Sequence, residues 1–193
     1  MKGELHMIGR RLGISLAAAA LVLLVVGSYA VAGPRDGPPK VPDSKKFEAR
    51  LNGFQEVPSV STEAFGRFEA ELVNDTTLHY TFTYEGLQGG NSLFAHVHFA
   101  QRSVNGGVAF FLCGGGGKPS CTNGSGEFAG DVTPADVVSS AGATAQGIAP
   151  SEFAEIVRGM RAGHAYANIH TTSWPGGEIR GQINDKDQKE FDK

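Results

Sequence analysis

The 193-residue sequence is poor in cysteine, with two, and in tryptophan, with one. It has no Cys-x-x-Cys pair, so dithiol redox chemistry and cysteine-rich zinc sites are excluded. It has no basic excess either. Seventeen Lys and Arg stand against 20 Asp and Glu, for a formal charge of −3. A chain of this balance without a basic stripe does not bind nucleic acid. No apolar run reaches the roughly 20 residues of a membrane-spanning helix. Gly-x-Ser-x-Gly, His-Glu-x-x-His and a phosphate-binding loop are all missing, and Gly114–Gly117 is followed by no Gly-Lys-Ser/Thr. No internal repeat is present.

What is there begins with an export pattern. Lys2, Arg10 and Arg11 precede a 13-residue apolar run from Ile14 to Val26, and Ala30-Val31-Ala32 supplies the small-x-small site that signal peptidase cuts. Residues 1–32 are therefore predicted to be a cleaved signal peptide, with the cut before Gly33; the alternative is an uncleaved N-terminal membrane anchor. Cleavage would leave a formal charge near −5. His6 falls within this segment. Residues 33–46 hold four prolines and read as an extended linker. Residues 185–193 are nearly all charged and read as a frayed tail. The folded domain is placed at 47–184, in a secreted, periplasmic or cell-surface protein with no membrane contact after cleavage.

Cys113 and Cys121 are separated by a glycine loop, and in an oxidising compartment they are expected to pair. Closing that loop stabilises the fold by roughly 2.5 kcal/mol in the chain-entropy model. A metal-thiolate pair is the alternative. The 27 glycines point to many tight turns. Between the turns the apolar period is two. Phe68, Ala70 and Leu72 alternate with charges; Leu78, Tyr80, Phe82 and Tyr84 alternate with Thr and His79; Ala95 and Val97 alternate with His96 and His98; Ala165, Ala167 and Ile169 alternate with His164, Asn168 and His170. Helices are expected from Thr133-Pro134 and from a Ser151 cap, the second burying Phe153, Ile156, Val157 and Met160 and ending at Gly163. The fold class is mainly β: an antiparallel sandwich or Greek-key barrel with one or two short helices in a crossover.

Three groups of residues carry a resemblance. Phe47-x-Ala49-x-Leu51-x-Gly53-x-x-Glu56-Val57-Pro58 opens it. Gly86-Leu87, Ala95-His96-Val97-His98 and Gly107-Val108 form its middle. Asn168-Ile169-His170-Thr171 and Pro175-Gly176-Gly177-Glu178-Ile179-Arg180-Gly181-Gln182 close it. In this order, over residues 47–183, they resemble the CHRD domain, the module named from chordin. The resemblance implies an extracytoplasmic β-sandwich and little chemistry. The growth-factor binding of chordin is not carried to this chain.

Strand parity singles out the histidines. His96 and His98 share one face, opposite Val97, while Asn168 and His170 share one face of a second strand. If these strands are neighbours, His96, His98 and His170 converge. Three imidazoles suit copper or zinc, and also nickel or iron. Asn168, Glu178 and Arg180 are the candidates for supporting such a site or an anion beside it. A His-x-His strand in a sandwich is similar to Cu/Zn superoxide dismutase, although no bridging histidine or zinc loop is recognisable. The alternative is solvated, polar-face histidines without a metal. Ligation is expected to weaken as pH falls through about 6.5, the ordinary imidazole value. His79 and Glu56 are read as structural. The resulting expectation is a non-enzymatic binding or structural module whose partner is an extracytoplasmic protein or surface. Its rivals are a metal-dependent redox enzyme and a metal-free adhesive domain.

Overall fold

A computed structural model describes residues 43–185 except Ser139, and of Asp185 the backbone only. The signal segment with His6, linker residues 33–42 and tail residues 186–193 lie outside the described residues.

Eight strands form one antiparallel sheet: β1 (Lys46–Asn52), β2 (Phe65–Asn74), β3 (Thr77–Glu85), β4 (Ser92–Phe99), β5 (Gly107–Cys113), β6 (Gly126–Val132), β7 (Ala165–Thr171) and β8 (Ile179–Asp185). Their order is β5-β4-β7-β8-β1-β2-β3-β6. The fold is thus mainly antiparallel β, as read from the alternation. The two edge strands approach each other, and the Tyr80 hydroxyl of β3 donates to the Leu112 carbonyl of β5 at 2.9 Å. The sheet is thereby a nearly closed barrel, which removes most of its exposed edge. Cys113 at the end of β5 is bonded to Cys121, tying the edge strand to the loop that leads into β6.

The period-two pattern sends Phe47, Leu51, Phe68, Leu78, Phe82, Val97, Leu112, Ile169 and Ile179 into one interior core. On β2 the opposite residues are exposed. On β7 all seven residues are buried. Both faces of that strand are covered, because three loops fold over its outer side. Residues 53–62, 100–106 and 172–178 form this second layer. Asn105 Nδ2 donates to the Val57 carbonyl at 3.1 Å, and Gln182 Nε2 donates to the Ala100 carbonyl at 2.9 Å. The polar face that carries the histidines is therefore interior to the molecule, not solvated as the alternative reading had it.

Two helices cross between β6 and β7: α1 (Ala141–Ala145) and α2 (Phe153–Arg161). On α2 the apolar face Phe153, Ile156, Val157 and Met160 is buried as expected, and Gly163 follows the helix end with φ 71°. Two details differ. Glu152 is the capping residue of α2, while Ser151 sits before it in the left-handed region at φ 66°. The helix expected from Thr133 is a single 3-10 turn, Pro134–Asp136. Asp136 Oδ2 accepts from the Thr133 amide and hydroxyl, so the start signal is real. The β-branched Val137 and Val138 then leave the turn, and the Val138 amide donates to Ala109 of β5. Sheet pairing overrides propagation of the helix.

Candidate metal centre

Strands β4 and β7 are hydrogen-bonded neighbours. Their register places Phe94 opposite His170, His96 opposite Asn168, and His98 opposite Tyr166. Strand β8 lies beyond β7, with Arg180 opposite Asn168. The outer face of this three-strand patch is a row of polar and aromatic side chains, all reached by strand parity.

His96, His98 and His170 converge there. One ring nitrogen from each lies within 4.8 Å of the others. The ring centroids are 4.5 Å apart for His96–His98, 4.6 Å for His96–His170 and 6.2 Å for His98–His170. The three residues are only 3–7 % exposed.

The hydrogen bonds determine which nitrogens carry lone pairs. His98 Nδ1 faces the Gly106 carbonyl at 2.8 Å, and His170 Nδ1 faces the Pro175 carbonyl at 2.9 Å. A carbonyl only accepts, so each Nδ1 carries the proton and each Nε2 is a lone pair. His98 Nε2 and His96 Nδ1 are buried without a hydrogen-bond partner among the described residues. A buried nitrogen left in that state costs about 1–3 kcal/mol. His170 Nε2 lies 3.1 Å from the atom assigned as Asn168 Oδ1. A lone pair there requires the amide to present its NH2.

Burial also keeps the rings neutral. It lowers the His96 pKa to about 2, with further depression from the charges His98 and His170 would carry. Burial chiefly lowers His98 to about 4, and it lowers His170 as well. The ordinary value near 6.5 does not apply at this site: His96 and His98 stay in the ligating form to well below pH 6, and His170 is shifted in the same direction. Aromatic neighbours hold them in place. Phe94 packs on His96 and His170 at 5.2 and 4.9 Å, Phe111 meets His96 edge-on at 5.2 Å, and Tyr166 stacks on His98. Three neutral, pre-oriented imidazoles, two of them with an unpartnered nitrogen, fit a transition-metal ion by donor chemistry.

The other candidates are placed differently. Asn168 is central, beside His170, and its side chain acts to lower the pKa of Glu56. The Arg180 guanidinium lies 3.4 Å from the Tyr166 ring centroid, and its nitrogens donate to Asn105 Oδ1 and to the Gln101 and Val104 carbonyls. It braces the ring that braces His98. Glu178 is engaged elsewhere. Its carboxylate accepts from the Gln88 and Gly89 amides at 2.6 and 3.0 Å and from the Thr62 and Thr171 hydroxyls at 3.0 and 2.9 Å. Gly89 is required there, because a Cβ would fall 2.7 Å from Glu178 Oε2. Glu178 thus pins the 86–91 turn to β8. His79 is exposed and pairs with Asp131 at 2.7 Å, far from the cluster in the sheet order.

Parity could have found Tyr166, which shares its face with Asn168 and His170. The placement of Glu56 follows from no periodic signal. It sits in a loop after a 3-10 turn, not in a strand, and is buried over the site. Burial raises its pKa to about 7 against the opposing charge of Arg180. Gly177 accommodates it: at φ 129°, a Cβ there would collide with Glu56 Oε1.

Searches of the curated proteins and of the solved structures found no match to this chain. The family model of the CHRD domain matches residues 47–183, a span that contains every strand core, the disulfide and the three histidines. The chain belongs to the CHRD domain family.

Proposed function

We propose that this chain is an exported, non-enzymatic binding module that holds one transition-metal ion, copper or zinc, between His96, His98 and His170. The observation that carries the reading is the pair of buried, unpartnered imidazole nitrogens, His96 Nδ1 and His98 Nε2, beside the lone pair of His170. His96 and His98 come from β4 and His170 from β7. An ion there ties the two strands together and stabilises the folded state in proportion to its binding. The Gly106 and Pro175 carbonyls hold the ligand tautomers, and the stacked Phe94 and Tyr166 rings hold their orientation.

Export is supported by the signal pattern of residues 1–32 and by the Cys113–Cys121 bond, which suits an oxidising compartment. Among the described residues no helix is long and apolar enough to cross a membrane. The partner this reading implies is an extracytoplasmic protein or surface. The redox alternative needs a substrate to reach the ion, and three imidazoles only 3–7 % exposed favour holding over turnover.

Metal content of protein purified without a histidine tag, followed by calorimetric titration with copper and zinc, tests the reading. One equivalent is expected to bind. His96→Ala, His98→Ala and His170→Ala should each lower affinity by more than the roughly 10–100-fold typical of a supporting residue, and His79→Ala should not. No binding of either ion would leave a metal-free structural domain. Superoxide dismutation by the copper-loaded protein would establish the redox alternative. N-terminal sequencing that finds Met1 intact would refute cleavage.

A further inference from the structure

The surroundings of the histidine cluster discriminate between ions of different charge, a consequence that rests on the metal reading above. The donors are three neutral imidazoles. Among the described residues no Asp, Glu or Cys joins His96, His98 and His170. Rings wall the cluster: Phe94 against His96 and His170, Phe111 against His96, and Tyr166 against His98. The Tyr166 hydroxyl accepts from the Gly106 amide at 3.4 Å.

The fixed charges nearby do not favour a cation. Arg180 lies on the Tyr166 ring, 3.4 Å from its centroid, and its charge opposes a positive charge on His98. Glu56, buried in the covering loop, is set against Arg180. One carboxylate against one guanidinium leaves no net anion for an incoming ion. No carboxylate is among the groups that act on the three rings. Glu178 accepts from two amides and two hydroxyls of its own.

An ion held here keeps its whole charge inside a site only 3–7 % exposed. The cost of burying a charge grows with its square, so a divalent ion costs about four times as much as a monovalent one of equal size. Closed zinc sites also take four ligands, whereas this cluster offers three. Of the two candidate metals only copper has a stable monovalent state, and its filled d shell accepts three ligands.

We propose that the cluster selects monovalent copper, Cu(I), over Cu(II) and Zn(II). Divalent copper outranks zinc at almost any nitrogen site, so the deciding comparison is between Cu(I) and the two divalent ions.

The untagged protein is titrated anaerobically with Cu(I) against a chromogenic Cu(I) chelator, and separately with Cu(II) and Zn(II) against chelators of known affinity. Cu(I) is expected to bind at least about 100-fold more tightly than either. A 100-fold preference over Cu(II) raises the potential of the bound couple about 120 mV above that of aqueous copper, which voltammetry reads independently. Phe111, half-buried beside His96, allows the charge to be tested. Phe111→Glu should narrow the preference for Cu(I) over Zn(II) by about tenfold or more relative to Phe111→Gln, which has the same shape without the charge. The wild-type comparison decides the question should neither variant fold. Cu(II) or Zn(II) bound as tightly as Cu(I) overturns the proposal and leaves the metal reading intact. Equal preferences in the Glu and Gln variants overturn it too. No binding of any of the three ions overturns both.

Discussion

Tyr166 lies flat on His98, with ring centroids 4.6 Å apart and planes 4° apart. Arg180 covers the other face of the same ring, 3.4 Å from its centroid. The three groups come from β4, β7 and β8, so the stack crosses the sheet perpendicular to its strands. It sets the plane of His98 and leaves the nitrogen that faces the cluster without a hydrogen-bond partner.

Removing that ring should therefore loosen the cluster as well as the fold. Tyr166→Ala is expected to destabilise by about 3–5 kcal/mol, the usual range for a buried aromatic truncation. It should also weaken metal binding. Tyr166→Phe keeps the stack and should retain metal affinity within a few-fold. Denaturant titration and calorimetry on the two variants measure both effects. Equal metal affinity in the wild type and Tyr166→Ala would show that the stack does not position His98.

The pH dependence has two opposing parts. The three imidazoles have folded values below the ordinary 6.5, to about 4 for His98 and about 2 for His96. Their contribution to stability is complete above 6.5 and is lost as pH falls through that value toward the folded ones. Glu56 has the opposite sign. Its folded value near 7 lies above the ordinary 4.5, so its contribution is complete below 4.5 and is lost as pH rises through 7. Between 4.5 and 6.5 three groups oppose one, and the metal-free protein should lose stability on acidification. Each net proton contributes up to about 1.4 kcal/mol per pH unit. Denaturation of chelated protein at several pH values checks this, and His98→Gln should flatten the slope. A stability that is constant or rising from pH 6.5 to 4.5 would contradict the assignment.

Glu178 should behave as a structural group only. Glu178→Gln replaces an all-acceptor carboxylate that receives two amides and two hydroxyls. The amide nitrogen it introduces would face donors, at a cost of about 2–4 kcal/mol. The thermal midpoint should drop while copper and zinc affinities remain those of the wild type. A selective loss of metal binding with unchanged stability would return Glu178 to the site.

Reduction of the Cys113–Cys121 bond, or the double change to serine, should lower stability by roughly 2.5 kcal/mol and leave the protein folded. The Leu112–Tyr80 bond and the β4–β5 ladder still hold the edge strand. Complete unfolding in mild reductant would show that the barrel depends on this link.

Local periodicity determined much of this protein. A period of two specified the strands and the residues that enter the core, and parity put His96 and His98 on one face and Asn168 and His170 on another, because successive side chains of a strand alternate. Parity could not say that β4 and β7 are neighbours; that depends on a sheet order in which β7 lies between β4 and β8, set by long-range pairing. Nor could it say that the histidine face is dry. The same alternation on β2 leaves the outer residues exposed, and the difference lies in three loops with no periodic signal of their own. Those loops bury the imidazoles, supply the Gly106 and Pro175 carbonyls that choose their tautomers, and bring Glu56 beside Asn168. Desolvation and the partners of a ring nitrogen come from residues distant in sequence, so only the tertiary structure decided that three ordinary-looking histidines form a neutral cluster with two unpartnered nitrogens.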